Sequence, residues 1–324
     1  MKRQFALLAA LAALSLATAT PTRAENWPTR PVRIVNTFAA GGAADILARI
    51  VAERLSAAFG QQFFVETRAG AGGIIGVQTV INTPPDGYNF VITNVSLLSL
   101  DPTSKPSLGF DPRRDLTNIA YIAGSPIALS VNPASGMKTL ADFVARAKSS
   151  DKPMPYSSSG IGSMGHLVAE MFARKAGLRF EHIPYKGASQ GIADVVGGHI
   201  TFSSQTVSST AAMLKAGSLI GLAQTGKERL PDFPSVPTFA EAGYPDVAST
   251  IWFSLSGPAK LPVDIVTKVN RTIAAAMTAP EAQERLRQLG VVPEAMTVEE
   301  FNALVARETE RWKPVIEELG LVEK

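Results

Sequence analysis

Three times in this chain a short strand-forming run enters a glycine-rich turn and leaves it as a helix-forming run. The turns are Phe38-Ala39-Ala40-Gly41-Gly42-Ala43-Ala44-Asp45, Gly70-Ala71-Gly72-Gly73 and Ser157-Ser158-Ser159-Gly160-Ile161-Gly162-Ser163. Repeated strand, tight turn and helix calls for an α/β protein, a largely parallel sheet with helices on its faces. Each turn also brings backbone N–H groups and the positive end of a helix dipole to one point, an arrangement that holds an anion.

The remaining pattern extends this reading into two α/β blocks. Val32 to Val35, Phe63 to Glu66 and Asn89 to Thr93 read as strands. Asp45 to Phe59 reads as a helix, with Leu47, Ile50, Val51 and Leu55 on one face and Gly60 as its stop. Leu98 to Arg114, rich in Pro, Ser, Asp and Gly, reads as an irregular loop. A long β segment from Ile119 to Val131 breaks at Gly124-Ser125-Pro126. The second block follows, with strands at Met154 to Ser157, Phe180 to Ile183, Ile200 to Ser203 and Leu219 to Gln224. Its helices run from Met164 to Ala176, Ala188 to Val196 and Ser208 to Lys215. After the proline-rich loop Pro231 to Pro245 come a strand, Ile251 to Ser256, and three helices from Val263 to Leu319. Two crossings, near Tyr121 and near Trp252, bracket the second block as an inserted domain. The expected lobes are residues 25–123 with 252–324, and residues 124–251.

The first 24 residues, 1–24, read as an export signal. Lys2 and Arg3 precede an apolar stretch from Phe5 to Leu16, and Thr22-Arg23-Ala24 is the favoured cleavage site over Ala17-Thr18-Ala19. The mature chain is therefore expected to be exported. The signal holds three of the 31 basic residues and no acid, so 31 − 3 = 28 bases face 28 acids, a net charge of zero. A neutral surface gives no footprint for nucleic acid or an anionic membrane. The absence of cysteine excludes disulfides and thiolate metal sites, and none of the three histidines has zinc-site spacing. No cofactor or metal is expected.

Each turn also has a purely structural reading. Gly41-Gly42 admits a ligand close to the backbone, with Asp45 capping the helix, or is simply a tight turn. Three glycines within Gly70 to Gly73 cost conformational entropy that a special backbone shape or a close approach must offset. Gly160-Ile161-Gly162-Ser163-Met164-Gly165 spells the dinucleotide fingerprint, with Glu181 near the place of a ribose-binding acid. The preceding strand carries Pro155, the motif stands in mid-chain, and the export signal sends it away from nicotinamide pools, so a smaller anion is preferred. Ser163 with a distant histidine, His182 or His199, offers a secreted serine hydrolase as an alternative, although Ile161 stands where G-x-S-x-G needs glycine. His166 is aimed from the first turn of its helix at the proposed site, Tyr185 closes a strand where it could line a cleft, and Trp252 could wall it.

Further runs carry a family resemblance. They are Trp27-Pro28-Thr29-Arg30-Pro31-Val32-Arg33, Gly41-Gly42 to Asp45, Glu66-Thr67-Arg68-Ala69-Gly70-Ala71-Gly72-Gly73 and Pro85-Asp86-Gly87-Tyr88. Then come Ser159 to Ser163 with His166-Leu167, Pro184-Tyr185-Lys186-Gly187, Gly197-Gly198, Pro234 to Thr238, and Glu241-Ala242-Gly243. In this order the chain resembles the Bug-type periplasmic solute-binding proteins of tripartite tricarboxylate transporters. The resemblance implies a type II periplasmic binding fold, two α/β lobes with a ligand cleft between them. It implies a monomeric receptor that captures a small organic carboxylate and delivers it to membrane permease subunits, with a signalling sensor as a variant role. One carboxylate would meet the loops Phe38, Ala39, Ala40, Gly41, Gly42, Ala43 and Ala71, Gly72, Gly73. The other end would meet Ser157, Ser159, Gly160, Gly162 and Ser163, with His166 and Tyr185 nearby. Ser204-Gln205-Thr206 departs from the Phe-Asp-Asn that relatives often carry, so that Gln205 is a neutral amide in place of an acid.

Overall fold

Val32–Asn36 (β1), with Val32, Ile34 and Val35 fully buried, pairs in parallel with Phe63–Thr67 (β2) and Asn89–Asn94 (β3). A strand covered on both faces needs this near-continuous apolar sequence. The computed structural model describes residues 27–104 and 108–322, so the export signal lies outside the described residues. Between these strands run helix α1, Ala43–Phe59, stopped by Gly60 in a left-handed conformation, and helix α2, Ile74–Ile81. The segment expected to be irregular instead winds into helical turns at Ser96–Leu100, Asp101–Ser104 and Pro112–Asp115. Leu97, Leu98 and Leu100 are buried there, and Ser99 donates to the Val305 carbonyl at 3.2 Å. Tertiary burial overrides the loop-like composition.

The chain then crosses. Leu116–Ser125 (β4) belongs to the first sheet and Ile127–Val131 (β5) to a second, with Pro126 between them. The second sheet adds Met154–Ser158 (β6), Phe180–Pro184 (β7), Phe202–Thr206 (β8) and Ile220–Gln224 (β9) in the order β7-β6-β8-β5-β9. Its helices are α3 (Leu140–Ser149), α4 (Met164–Ala176), α5 (Ala188–Val196) and α6 (Val207–Lys215). Thr139 and Asp142 form a capping box on α3.

Ile251–Pro258 (β10) returns to the first sheet and pairs antiparallel with both β3 and β4. Val292–Pro293 (β11) completes the order β11-β4-β10-β3-β1-β2. Helices α7 (Val263–Thr278), α8 (Pro280–Gln288) and α9 (Val298–Glu318) cover this sheet.

Thr225 ties the two crossings together. The Ile127 N–H donates to its hydroxyl at 2.9 Å, that hydroxyl donates to the Ser249 carbonyl at 2.6 Å, and the Ser249 N–H donates to the Thr225 carbonyl at 3.1 Å. Trp252, near which a crossing was expected, already lies within β10, as does Ser256, whose hydroxyl is 2.8 Å from that of Thr93. The return crossing is at Ser249 to Ile251 instead.

Candidate ligand-binding cleft

The carboxyl ends of β1, β3, β6 and β8 point at one another between the sheets, the place where open α/β sheets bind ligands. They surround a cavity of about 30 Å³. The first sheet's side supplies Phe38, Gly42, Ala43, Ala44, Asn94, Ile251 and Phe253. The second supplies Ile127, Ser159, Ser163, Met164, Gly165, Ala188, Gln205, Thr206 and Ser209. Among these lining residues there is no Lys, Arg, His, Asp or Glu.

The positive potential comes from backbone. The N-terminal ends of α1, α4, α5 and α6 all reach the cavity, through Gly42 to Ala44, Ser163 to Gly165, Ala188, and Thr206 with Ser209. Four positive dipole ends directed at one small volume repel each other unless an anion lies between them. The first-turn N–H groups of Ala44, Met164, Gly165 and Ala188 have no intrahelical acceptor. Those of α6 are spent on Pro126 O, Ser125 Oγ and Thr206 Oγ1, so this helix contributes its dipole alone.

The two sides are closed on each other. The Ala43 N–H donates to Ser209 Oγ at 3.0 Å, and Ser189 Oγ donates to the Ala40 carbonyl at 2.8 Å. Ala39 lies against Gly187, so close that a Cβ on that glycine would fall 2.7 Å from the Ala39 nitrogen. A volume of 30 Å³ accommodates about two waters, so an organic acid enters only when the lobes part.

The sequence-predicted residues divide into three groups. Phe38, Gly42, Ala43, Ser159, Ser163 and Gln205 line the cavity. A second group supports it from behind. Asp45 does not cap the helix by accepting from its first turn. From the first turn its carboxylate reaches back to accept from Gly41 N at 3.1 Å and forward to accept from Arg49 Nε at 3.1 Å, which fastens the turn and spends the Gly41 donor. Gly162 N donates to His166 Nδ1 at 3.1 Å, and His166 stacks on His182 with ring centroids 4.1 Å apart. His166 thus holds the turn from behind. Ser157 is fully buried on the sheet, where a Cβ on Gly191 of α5 would stand 2.9 Å from its hydroxyl.

The third group lies outside. Ala71, Gly72, Gly160 and Tyr185 line a separate groove at the cleft mouth, not the cavity. Gly73 is buried instead against Phe38 and Leu97, where an added Cβ would come within 3.3 Å of both side chains. The glycines at 70, 72 and 73 have φ of 142°, 68° and 104°, so the turn needs them for its own left-handed course. The Tyr185 hydroxyl donates to Asp194, and burial followed by that carboxylate pushes the phenol up to about 12.

Trp252 packs on Phe301 at 5.6 Å, away from the cavity, which its strand neighbours Ile251 and Phe253 line. The alternation of a strand decides this. Asn94 and Ser209 were not singled out in the sequence, and Thr206 was named only as part of Ser204-Gln205-Thr206. Their signals were a polar residue ending a buried strand and a Thr-x-x-Ser start to α6.

Ser163, the candidate nucleophile, accepts from His166 N at 3.3 Å and donates to Ser158 Oγ at 3.3 Å. His182 Nε2 bonds Ser158 Oγ at 2.6 Å, not Ser163. Burial, then repulsion from His166, depresses His182 to about 3. The hydroxyl that meets a histidine is itself fully buried and bonded to both the N–H and the carbonyl of Gly160. This network braces the turn and leaves no general base on Ser163.

Two α/β lobes joined by paired crossings, closing on a cavity walled by helix N-termini, define a two-lobed periplasmic binding protein. The chain belongs to the tripartite tricarboxylate transporter family of receptors, whose profile matches residues 47–321. These are solute-binding receptors, not enzymes. It is 30% identical over 303 residues to protein BugT of Bordetella pertussis, covering 93% of each chain. The fold superposes on Rpa4515 of R. palustris with adipate at a TM-score of 0.88 and 33% identity, over 91% of this chain and 98% of that one. It superposes on MatC of Rhodopseudomonas palustris with bound malate at 0.84 and 26% identity, over 90% of this chain and 100% of that one.

Proposed function

We propose that this receptor works in the periplasm, as a monomer freed of residues 1–24, and captures a small organic carboxylate between its lobes. The lobes are taken as residues 25–123 with 252–324, and residues 124–251, with the first sheet's β4 running on to Ser125 and its β10 starting at Ile251 at the two crossings. The observation that carries the reading is a cavity reached by four helix N-termini and lined by no charged side chain. A carboxylate there accepts from amides that are already oriented, while Phe38, Ile127, Ile251 and Phe253 cover its hydrocarbon. The adipate and malate of the two structural neighbours fit the same chemistry.

Binding takes place with the lobes apart. Closure then turns them about Pro126 and the Ser249 to Ile251 crossing, and the closed form is presented to permease subunits in the membrane. A thermal-shift and calorimetric screen of mono- and dicarboxylates tests this. A ligand at about 100 times its Kd stabilises by about 2.7 kcal/mol, several degrees of melting temperature. A screen in which no carboxylate raises the melting temperature would sink the reading, as would ester turnover lost in Ser163→Ala.

A further inference from the structure

Gln205 carries a buried side-chain polar atom without a partner, its Nε2, and among the described lining residues no other does so. The residue is 2% exposed, at the carboxyl end of β8. Its Oε1 is engaged, accepting from the Ser159 hydroxyl at 2.7 Å. The amide is thereby oriented with its NH2 donors open and one of its two acceptor lone pairs taken.

Of the other hydroxyls around the cavity, those of Ser209 and Thr206 already accept two hydrogen bonds each and that of Ser163 accepts one. Ser163 Oγ accepts from His166 N, Ser209 Oγ accepts from Ala43 N and from the Thr206 hydroxyl, and Thr206 Oγ1 accepts from Ser209 N and the Ser208 hydroxyl. A ligand ammonium has three donors and no acceptor. Here it would meet four positive helix ends, a few neutral hydroxyl and amide lone pairs and no carboxylate to balance its charge. A carboxylate or hydroxyl oxygen satisfies Gln205 Nε2 directly.

We propose that Gln205, oriented by Ser159, sets the substrate class: the receptor takes carboxylates without an ammonium group and rejects their α-amino counterparts. This rests on the carboxylate reading above and narrows it.

The test is calorimetry on the intact receptor with acids paired by one amino group: succinate and aspartate, glutarate and glutamate, adipate and 2-aminoadipate. In whichever pair binds tightest, the aminated member is expected to bind roughly 10- to 100-fold more weakly, the cost of an unpaired buried charge. Gln205→Glu supplies the missing anionic acceptor and is expected to shift that ratio at least about 10-fold toward the aminated member. Ser159→Ala frees Gln205 Oε1 to turn toward the ligand and is expected to lower the ratio without a new charge. Melting curves and circular dichroism verify that both variants fold. A ratio near one in the wild type overturns the proposal while leaving the carboxylate reading intact, and so does a ratio unchanged in both variants. If neither these acids nor any other carboxylate of the screen binds, the carboxylate reading falls and this one with it.

Discussion

Gly187→Ala separates closing from folding. Gly187 precedes α5 in the second lobe with φ of 170°, extended backbone that alanine adopts without strain. Its new Cβ would stand 2.7 Å from both the nitrogen and the Cβ of Ala39 in the first lobe. Ordinary contact begins at 3.4 Å, so the lobes must stay apart by at least 3.4 − 2.7 = 0.7 Å. Such a gap takes the Ser189 to Ala40 bond from 2.8 Å to the limit of hydrogen bonding and the Ala43 to Ser209 bond from 3.0 Å past it. At roughly 0.5–1.5 kcal/mol each, the closed form loses about 1–3 kcal/mol, and binding weakens roughly 5- to 150-fold. Alanine is also a poorer N-cap than glycine, and Gly187→Ser controls for this by restoring a good cap while keeping the Cβ. Calorimetry against the best ligand from the screen, with melting of the ligand-free protein alongside, reads both effects. Unchanged affinity in both variants refutes the closure argument. A ligand-free melting point lowered as far as by overpacking a core refutes it too, since the clash would then belong to the fold.

Two other perturbations test the contacts of Thr225 and Asp45. Thr225→Val removes the hydroxyl that links the crossings and leaves Ile127 N and Ser249 O unpaired. A loss of about 2–4 kcal/mol is expected in urea unfolding, and a loss below about 0.5 kcal/mol would contradict the tie. Asp45→Ala frees Gly41 N and Arg49, with about 1–3 kcal/mol of stability lost and ligand affinity reduced, measured by unfolding and calorimetry. Affinity equal to wild type would show that the turn does not need its buried acid.

His182 is held neutral in the folded protein at about 3, whereas the unfolded chain protonates it below its ordinary 6.5. Its contribution is therefore complete above pH 6.5 and declines as pH falls from 6.5 toward 3. Urea midpoints at pH 7.5, 6.5 and 5.5 should fall more for wild type than for His182→Gln. Parallel slopes would count against this assignment.

Much of the architecture was written locally. Strand, glycine turn and helix are each set by a few neighbouring residues, so the alternation and the two blocks were legible. The segment from Leu98 to Arg114 misled because its apolar residues gain their meaning only under α9. Trp252 looked like the wall of the cleft until the register of β10 turned Ile251 and Phe253 inward.

The glycine turns show where the division lies. The sequence determined that three turns open toward helices and that an anion is their natural partner, because backbone angle and dipole are local properties. Only the tertiary structure decided which amides remain available. Gly41 is spent on Asp45, and Ala43 on a serine 166 residues away. The Gly70 to Gly73 turn lies at the mouth and under Phe38, while the cavity gains the ends of α5 and α6. A hydrogen-bond donor is available or engaged according to what the rest of the chain brings within about 3 Å of it, and that distance is set by packing.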